Sequence, residues 1–256
     1  MHQFSGIIPP VVTPFDESGK INHQAFFRLA DHLIESGVSG IFVCGSQGEF
    51  FSLTKEEKTE MFRLAVEASR GRVPVFAGTG AITTAETIEL TREAEKAGCD
   101  AASIIPPIFI SPNADELFEH YRAVAESTGI SILLYNNPDR VGYAIPLSTV
   151  CRCSQIPNIV GMKDSWGDLT FVNEVLRSTD EDFCLFSGRD TVIFNILASG
   201  GCGAVPASGN VAPRLIVELY RAMSECRYEE ARQLQFRLAP LRNAFSLGSF
   251  PVVIKE

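Results

Sequence analysis

A closed (β/α)8 barrel is the fold class this sequence predicts, and three observations carry it. A unit of roughly 25 to 35 residues, the size of one strand plus one helix, recurs along the whole chain. Its strands read as continuous runs of Val, Ile, Leu and Ala, as expected where helices cover both faces of a parallel sheet. Several helices stop at a glycine just before the next strand, at Gly37, Gly98, Gly129 and Gly200, where a left-handed residue ends a helical turn. A chain of 256 residues is long enough for one such barrel.

Taken in order, the predicted strands span 6–13, 40–44, 73–78, 101–105, 130–136, 159–163, 183–188 and 203–206. Amphipathic helices are predicted over 22–35, 55–69, 83–97, 114–127, 146–153, 169–177, 190–198 and 213–224, with Thr54, Asp168 and Asp190 as N-caps. One more helix, 228–241, falls outside the eightfold count. Ser249-Phe250-Pro251-Val252-Val253 reads as the start of another just before the chain ends, so a truncated or incomplete terminal element is expected. The division this predicts is a barrel over 1–226 and a helical extension over 227–256. A doubly wound open sheet is the alternative. It usually carries a glycine fingerprint after its first strand, where this chain has Thr13-Pro14-Phe15-Asp16. Gly78-Thr79-Gly80 follows the third strand and lacks the third glycine.

Composition narrows the partners. A net charge of −9, with Asp and Glu spread along the chain, argues against nucleic acid or an anionic membrane. No apolar run reaches the length of a membrane-spanning helix, and Met1-His2-Gln3-Phe4 does not open a signal peptide. Seven cysteines, an odd number lying mostly in apolar runs, read as reduced thiols of a cytoplasmic protein. Cys151-Arg152-Cys153 has the spacing of neither a redox nor a zinc pair.

The chemistry is organised around Ile159-Val160-Gly161-Met162-Lys163-Asp164-Ser165. An apolar run bounded by turn residues is a buried strand, and Lys163 ends it, at the edge where parallel α/β folds place ligands. Burial disfavours an ammonium ion, and the neutral amine attacks ketones to form a Schiff base. From this stretch alone, a surface lysine opening a loop is the alternative. The second strand ends in Gly45-Ser46-Gln47-Gly48-Glu49, which either presents N–H groups and polar side chains to a carboxylate or is a plain tight turn. The fifth ends in Tyr135-Asn136-Asn137-Pro138-Asp139-Arg140. Tyr135 is either a proton carrier or a packed core side chain; Arg140 is either a clamp for an acidic substrate or solvated. The seventh ends in Ser187-Gly188-Arg189-Asp190 and the eighth in Val205-Pro206-Ala207-Ser208-Gly209-Asn210.

Two other barrel chemistries fit less well. A metal-dependent aldolase or hydrolase needs histidines and carboxylates at strand ends, but none of His2, His23, His32 and His120 follows a strand. A phosphate cradle would follow strands seven and eight, whereas Gly200-Gly201-Cys202-Gly203 precedes strand eight and serves a helix stop and close packing.

Gly45-Ser46-Gln47-Gly48-Glu49, Tyr135-Asn136-Asn137-Pro138, Gly161-Met162-Lys163-Asp164 and Ser187-Gly188, in order and each at a strand end, resemble the dihydrodipicolinate synthase / N-acetylneuraminate lyase family over nearly the whole chain. The resemblance implies a pyruvate-dependent class I lyase or aldolase on a (β/α)8 barrel, with no metal or other cofactor. Lys163 would form the Schiff base with a 2-keto acid and Tyr135 would carry protons, with Ser46 as a relay. The turn containing Gly45, Ser46 and Gln47 would bind the keto acid's carboxylate, and Gly188 and Val205 would line the pocket through backbone carbonyls. It also implies a homotetramer built from dimers, with the strand-four loop, here Ile108-Phe109-Ile110, reaching across a subunit contact.

The chain departs from the synthase pattern in two places. Ser46 and Gln47 stand for two threonines, and Ile108 and Phe109 stand for two tyrosines, so the usual three-hydroxyl relay is incomplete. Arg140 falls where synthases carry the arginine for the carboxylate of aspartate semialdehyde. The specific expectation is therefore condensation of pyruvate with that aldehyde. A 2-keto-3-deoxy sugar acid aldolase or dehydratase, or an N-acetylneuraminate lyase-like enzyme, is the alternative. A non-catalytic 2-keto acid sensor is the reading of another class, against which the presence of both Lys163 and Tyr135 argues.

Overall fold

The computed structural model describes residues 3–255; His2 lies outside the described residues. Eight parallel strands, β1 (Gly6–Ile7), β2 (Ile41–Val43), β3 (Val75–Gly78), β4 (Ala101–Ile104), β5 (Ser131–Asn136), β6 (Ile159–Asp164), β7 (Cys184–Ser187) and β8 (Gly203–Ala204), run in sequential order with β8 beside β1. The fold is the expected (β/α)8 barrel. Its first strand is shorter than the predicted 6–13 because Pro9 and Pro10 bring no N–H to a ladder. The chain still runs beside β2 there. Phe42 N–H donates to Pro9 O (3.0 Å) and Val11 N–H to Phe42 O (2.8 Å), which closes the barrel.

Helices α1 (His23–Glu35), α2 (Lys55–Ser69), α3 (Thr84–Ala97) and α4 (Ala114–Glu126) match the periodic segments. Their starts are fixed by side chains that satisfy first-turn N–H groups. Thr54 and Glu57 form a reciprocal cap on α2, and Asn113 and Glu116 form one on α4. After β5 comes a single-turn helix not predicted, α5 (Pro138–Val141), then α6 (Leu147–Cys153) and α7 (Leu169–Ser178), the last capped by Asp168. The predicted 190–198 helix is a 3-10 turn (Asp190–Val192) followed by α8 (Ile193–Ala198). Asp190 is not its cap: the carboxylate accepts instead from the N–H groups of Ala207 (3.1 Å) and Ser208 (2.8 Å) and from the Ser208 hydroxyl. Helices α9 (Pro213–Ser224) and α10 (Tyr228–Ala244) complete the set, followed by 3-10 turns at Phe245–Leu247 and Val252–Ile254.

Gly37, Gly98 and Gly200 adopt the left-handed conformation expected of them. Gly129 does not; α4 stops at a right-handed Ser127, and Gly129 N–H donates to Glu95 Oε1 (2.8 Å). Apolar side chains separate into two layers. One lies between sheet and helices and includes Ala102, Ile104, Ile132, Leu134 and Met162. The other fills the barrel with Ile8, Phe42, Phe76, Leu133, Phe186 and Val205.

The seam between β1 and β8 depends on a missing side chain. A Cβ on Gly203 would sit 2.0 Å from Gly6 O. Gly203→Ala is expected to lower the unfolding free energy by about 1–3 kcal/mol, the usual cost of forcing atoms into a packed interior. Urea titration reads this directly, and an unchanged midpoint at unchanged slope would contradict so tight a seam.

Candidate active site

Strand register sets the site. Ile132 on β5 faces Ile159 on β6, and that offset, continued, would put Tyr135 opposite Met162. The ladder instead shifts after Ile132, so that Leu133 faces Gly161 and Tyr135 faces Lys163. One residue, Val160, is left over. Because side chains alternate between faces, the extra residue turns Lys163 inward, to the same side as Tyr135. On its other flank Lys163 is in register with Phe186 of β7.

Lys163 is 4% exposed. Its Nζ lies 4.0 Å from the centroid of the Tyr135 ring and 5.0 Å from that of Phe42. The Tyr135 hydroxyl accepts from Asn137 Nδ2 (2.8 Å) and stands 3.5 Å from Ser46 Oγ. Both side chains open into a cavity of about 310 Å³, together with Ser46, Gln47, Arg140, Gly188 and Val205. Gly45 lies below, lining a small void with Phe42, Ser46, Ser103 and Tyr135. Of the residues predicted from sequence, then, all but Gly45 border one space.

Burial holds the Lys163 amine below its ordinary range, against the opposing influence of Tyr135 and Asp190. For Tyr135, burial favours the neutral phenol. The Lys163 charge, aided by hydrogen bonds from Ser46, Asn137 and Ser165, outweighs it and brings the phenol below its usual value. The charges of the two groups therefore act on each other, each favouring the ionised form of its neighbour.

The turn after β2 supplies donors. Among the described residues, the N–H groups of Ser46 and Gln47 meet no acceptor in the protein, and Gln47 Oε1 is buried without a partner. Adjacent free N–H groups on a turn form an anion-binding concavity. Gly188 is required by crowding: a Cβ there would fall 2.1 Å from Ser165 Oγ and 3.0 Å from Lys163 Cε.

Sequence reasoning missed several members of the site. Asn137 and Ser165 were passed over beside Tyr135 and Lys163, although both follow strand ends directly. Asp164, fully buried, accepts from Asn136 Nδ2 (2.7 Å) and Gly167 N–H (2.9 Å), bracing the loops after β5 and β6. The last turn of α10 also borders the cavity through Arg242, and the segment after it through Phe245, Phe250, Val253 and Ile254. Lys255 beyond it pairs with Glu49 of the β2 turn. Phe109 is 91% exposed with φ 81°, away from the cavity. Among the described residues no three His, Cys, Asp or Glu side chains cluster as a metal site would require.

The model of the dihydrodipicolinate synthetase family matches residues 3–256. A 4-hydroxy-tetrahydrodipicolinate synthase of Methanothrix thermoacetophila is 41% identical over 253 residues, which cover 98% of this chain and 85% of that protein. The crystal structure of dihydrodipicolinate synthase from Aquifex aeolicus superposes with a TM-score of 0.96 at 33% identity, covering 98% of this chain and 86% of that one. YagE of E. coli K12, a family member solved in complex with pyruvate, gives a TM-score of 0.95 at 34% identity, covering 99% and 87%.

The pair's electrostatics has a sign that can be tested. Tyr135 raises the Lys163 pKa both through charge and through a hydrogen bond. Removing the phenol hydroxyl therefore lowers it further, and more of the amine is neutral at a given pH. In Tyr135→Phe the pH midpoint for borohydride trapping of a keto acid is expected to move below that of the parent protein. Adduct mass measured across a pH series decides it, and a midpoint moving upward would reverse the assigned influence.

Proposed function

This chain belongs to the dihydrodipicolinate synthetase family, and from that premise we propose how its cavity works. The enzyme is a class I lyase that joins a 2-keto acid to an aldehyde through a lysine Schiff base. Pyruvate with aspartate semialdehyde, the reaction of 4-hydroxy-tetrahydrodipicolinate synthases, is the reading the relatives support. The observation that carries the site is Lys163 itself, an almost fully buried amine beside a phenol at the floor of a cavity.

In this reading the Lys163 amine adds to the keto carbon of pyruvate, the carbonyl oxygen leaves as water, and a C=N bond replaces C=O. The cationic imine is an electron sink beside C3, so loss of a C3 proton gives an enamine without a metal. Tyr135 takes that proton and later returns one to the oxygen of the aldehyde as C3 forms the new carbon–carbon bond. Water, or an amine carried by the acceptor, then displaces Lys163. The free N–H groups of Ser46 and Gln47 hold the pyruvate carboxylate, Ser46 Oγ exchanges protons with Tyr135, and Arg140 faces the acceptor. Gly45, Gly188 and Val205 shape the pocket through their backbone.

The same proposal extends to assembly and compartment. Phe109 and Ile110 project from the loop after β4, 91% and 69% exposed, and fit an apolar contact between subunits of a homotetramer. No described helix is long and apolar enough to cross a membrane. Cys44, Cys99, Cys151, Cys153, Cys202 and Cys226 are free thiols, which supports a reducing, cytoplasmic setting.

Trapping with borohydride and pyruvate, followed by mass measurement, tests the whole reading. One reduced adduct on Lys163 is expected, with neither adduct nor turnover in Lys163→Ala. Tyr135→Phe should keep part of the adduct while turnover falls by about 10²-fold or more. Full turnover in that variant would remove Tyr135 from its role, and a parent protein that forms no adduct would leave a keto-acid binder rather than a lyase.

A further inference from the structure

The upper part of the cavity carries more positive charge than the protein itself neutralises. Arg140, Arg189 and Arg242 border it, with Asp139 and Asp190 as the only carboxylates among its lining residues. Arg189 is spoken for: Nη2 pairs with Asp139 Oδ2 (2.8 Å) and Nη1 donates to Trp166 O (2.8 Å). Asp190 is 2% exposed and is occupied by the N–H groups of Ala207 and Ser208 and the Ser208 hydroxyl. Arg140 and Arg242 remain. Among the described residues, neither guanidinium has an ion-pair or hydrogen-bond partner.

Each of these two guanidiniums lies over a phenylalanine from the segment that follows α10. Arg140 is 4.0 Å from the centroid of the Phe250 ring, and Arg242 is 5.5 Å from that of Phe245. Stacking engages the flat face of a guanidinium and leaves its in-plane N–H donors free for a second, anionic partner. The keto acid does not supply that partner, because its carboxylate is matched by the turn after β2. In a protein of net charge −9, two unmatched guanidiniums over one cavity create a local field that selects anions.

We propose that Arg242 is a specificity-determining contact for the acceptor, and that with Arg140 it selects an aldehyde whose tail bears a carboxylate. The inference rests on the lyase reading above and goes further by assigning a cation from α10 to the aldehyde rather than to the keto acid. The competing role for Arg242 is local: it sits in the last turn of α10, where a cation favours the exposed carbonyls.

Steady-state kinetics on the full chain separate the two. Pyruvate is paired with aspartate semialdehyde and succinic semialdehyde, which carry a carboxylate, and with butyraldehyde, which does not. In Arg242→Gln, KM for the carboxylated aldehydes is expected to rise about 10- to 100-fold, the scale of one charged hydrogen-bonded contact. Arg242→Lys should restore part of that loss. Butyraldehyde turnover, KM for pyruvate and the yield of borohydride adduct should all stay within about twofold. Equal losses for both kinds of aldehyde, or no loss at all, would assign Arg242 to the helix end alone and overturn the proposal. So would a parent enzyme that prefers butyraldehyde. A parent enzyme that forms no pyruvate adduct fails at an earlier point, because then the lyase reading itself falls.

Discussion

Lys163 and Tyr135 lie side by side because β6 carries one residue more than β5 between Ile132 and Tyr135. Bulges of this kind are rare in parallel ladders, and this one decides which face of the sheet the amine occupies. On the outer face Lys163 would meet the apolar layer that holds Met162, with the helices packed over it. Turned inward, it meets the rings of Phe42 and Tyr135 and a polar opening above. Desolvation makes the amine reactive, and the register makes desolvation compatible with access to a substrate.

The surroundings are built to keep that arrangement rigid. Two carboxylates lie near Lys163 in sequence or in space, and neither pairs with it. Asp164 is held by Asn136 and the Gly167 N–H, and its own burial favours the protonated acid. Asp190 is held by the loop after β8. A carboxylate free to reach Lys163 would pull its proton affinity upward and undo the effect of burial. Committing both acids to other donors keeps either from pairing with the amine, leaving only the weaker through-space influence of Asp190, while joining four strand-end loops. Gly188 completes the packing from β7, since any side chain there would displace Ser165 or the lysine itself.

Much of this was legible in the chain, and the parts that were not share a cause. The caps Thr54 and Asp168, the stops at Gly37 and Gly98 and the apolar strands act within a few residues, so sequence order reveals them. Lys163 and Tyr135 could be placed at strand ends for the same reason. The shift at Val160 leaves no local mark, because Ile159-Val160-Gly161 looks like any buried strand. Asp190 was misread through chemistry that is right in kind. An acid at the head of a helix caps N–H groups, and here the ones it meets belong to Ala207 and Ser208, in the loop after the neighbouring strand β8. The same holds for the segment after α10, whose composition announces a short helix but not the cavity it covers.

The cavity is polarised, and on the proposed mechanism that polarity orients a keto acid in it. Its lining combines the turn after β2 with its free N–H groups, the Lys163 amine, and the C-terminal part of the chain carrying Arg242, Phe245 and Phe250. A keto acid bound through its carboxylate at the first and through its carbonyl carbon at the second has only its methyl carbon left to face the third. That carbon becomes nucleophilic in the enamine, so the bond-forming atom points toward the half of the cavity where the unmatched guanidiniums lie. On the proposed mechanism the acceptor then enters with its aldehyde carbon toward Lys163 and its tail toward Arg140 and Arg242. Exposed Phe109 stands on a different part of the rim, on the loop after β4, and takes no share in this orientation. On that mechanism the bond that forms is set by Lys163 and Tyr135, while the choice of aldehyde falls to residues contributed from outside the eight strands.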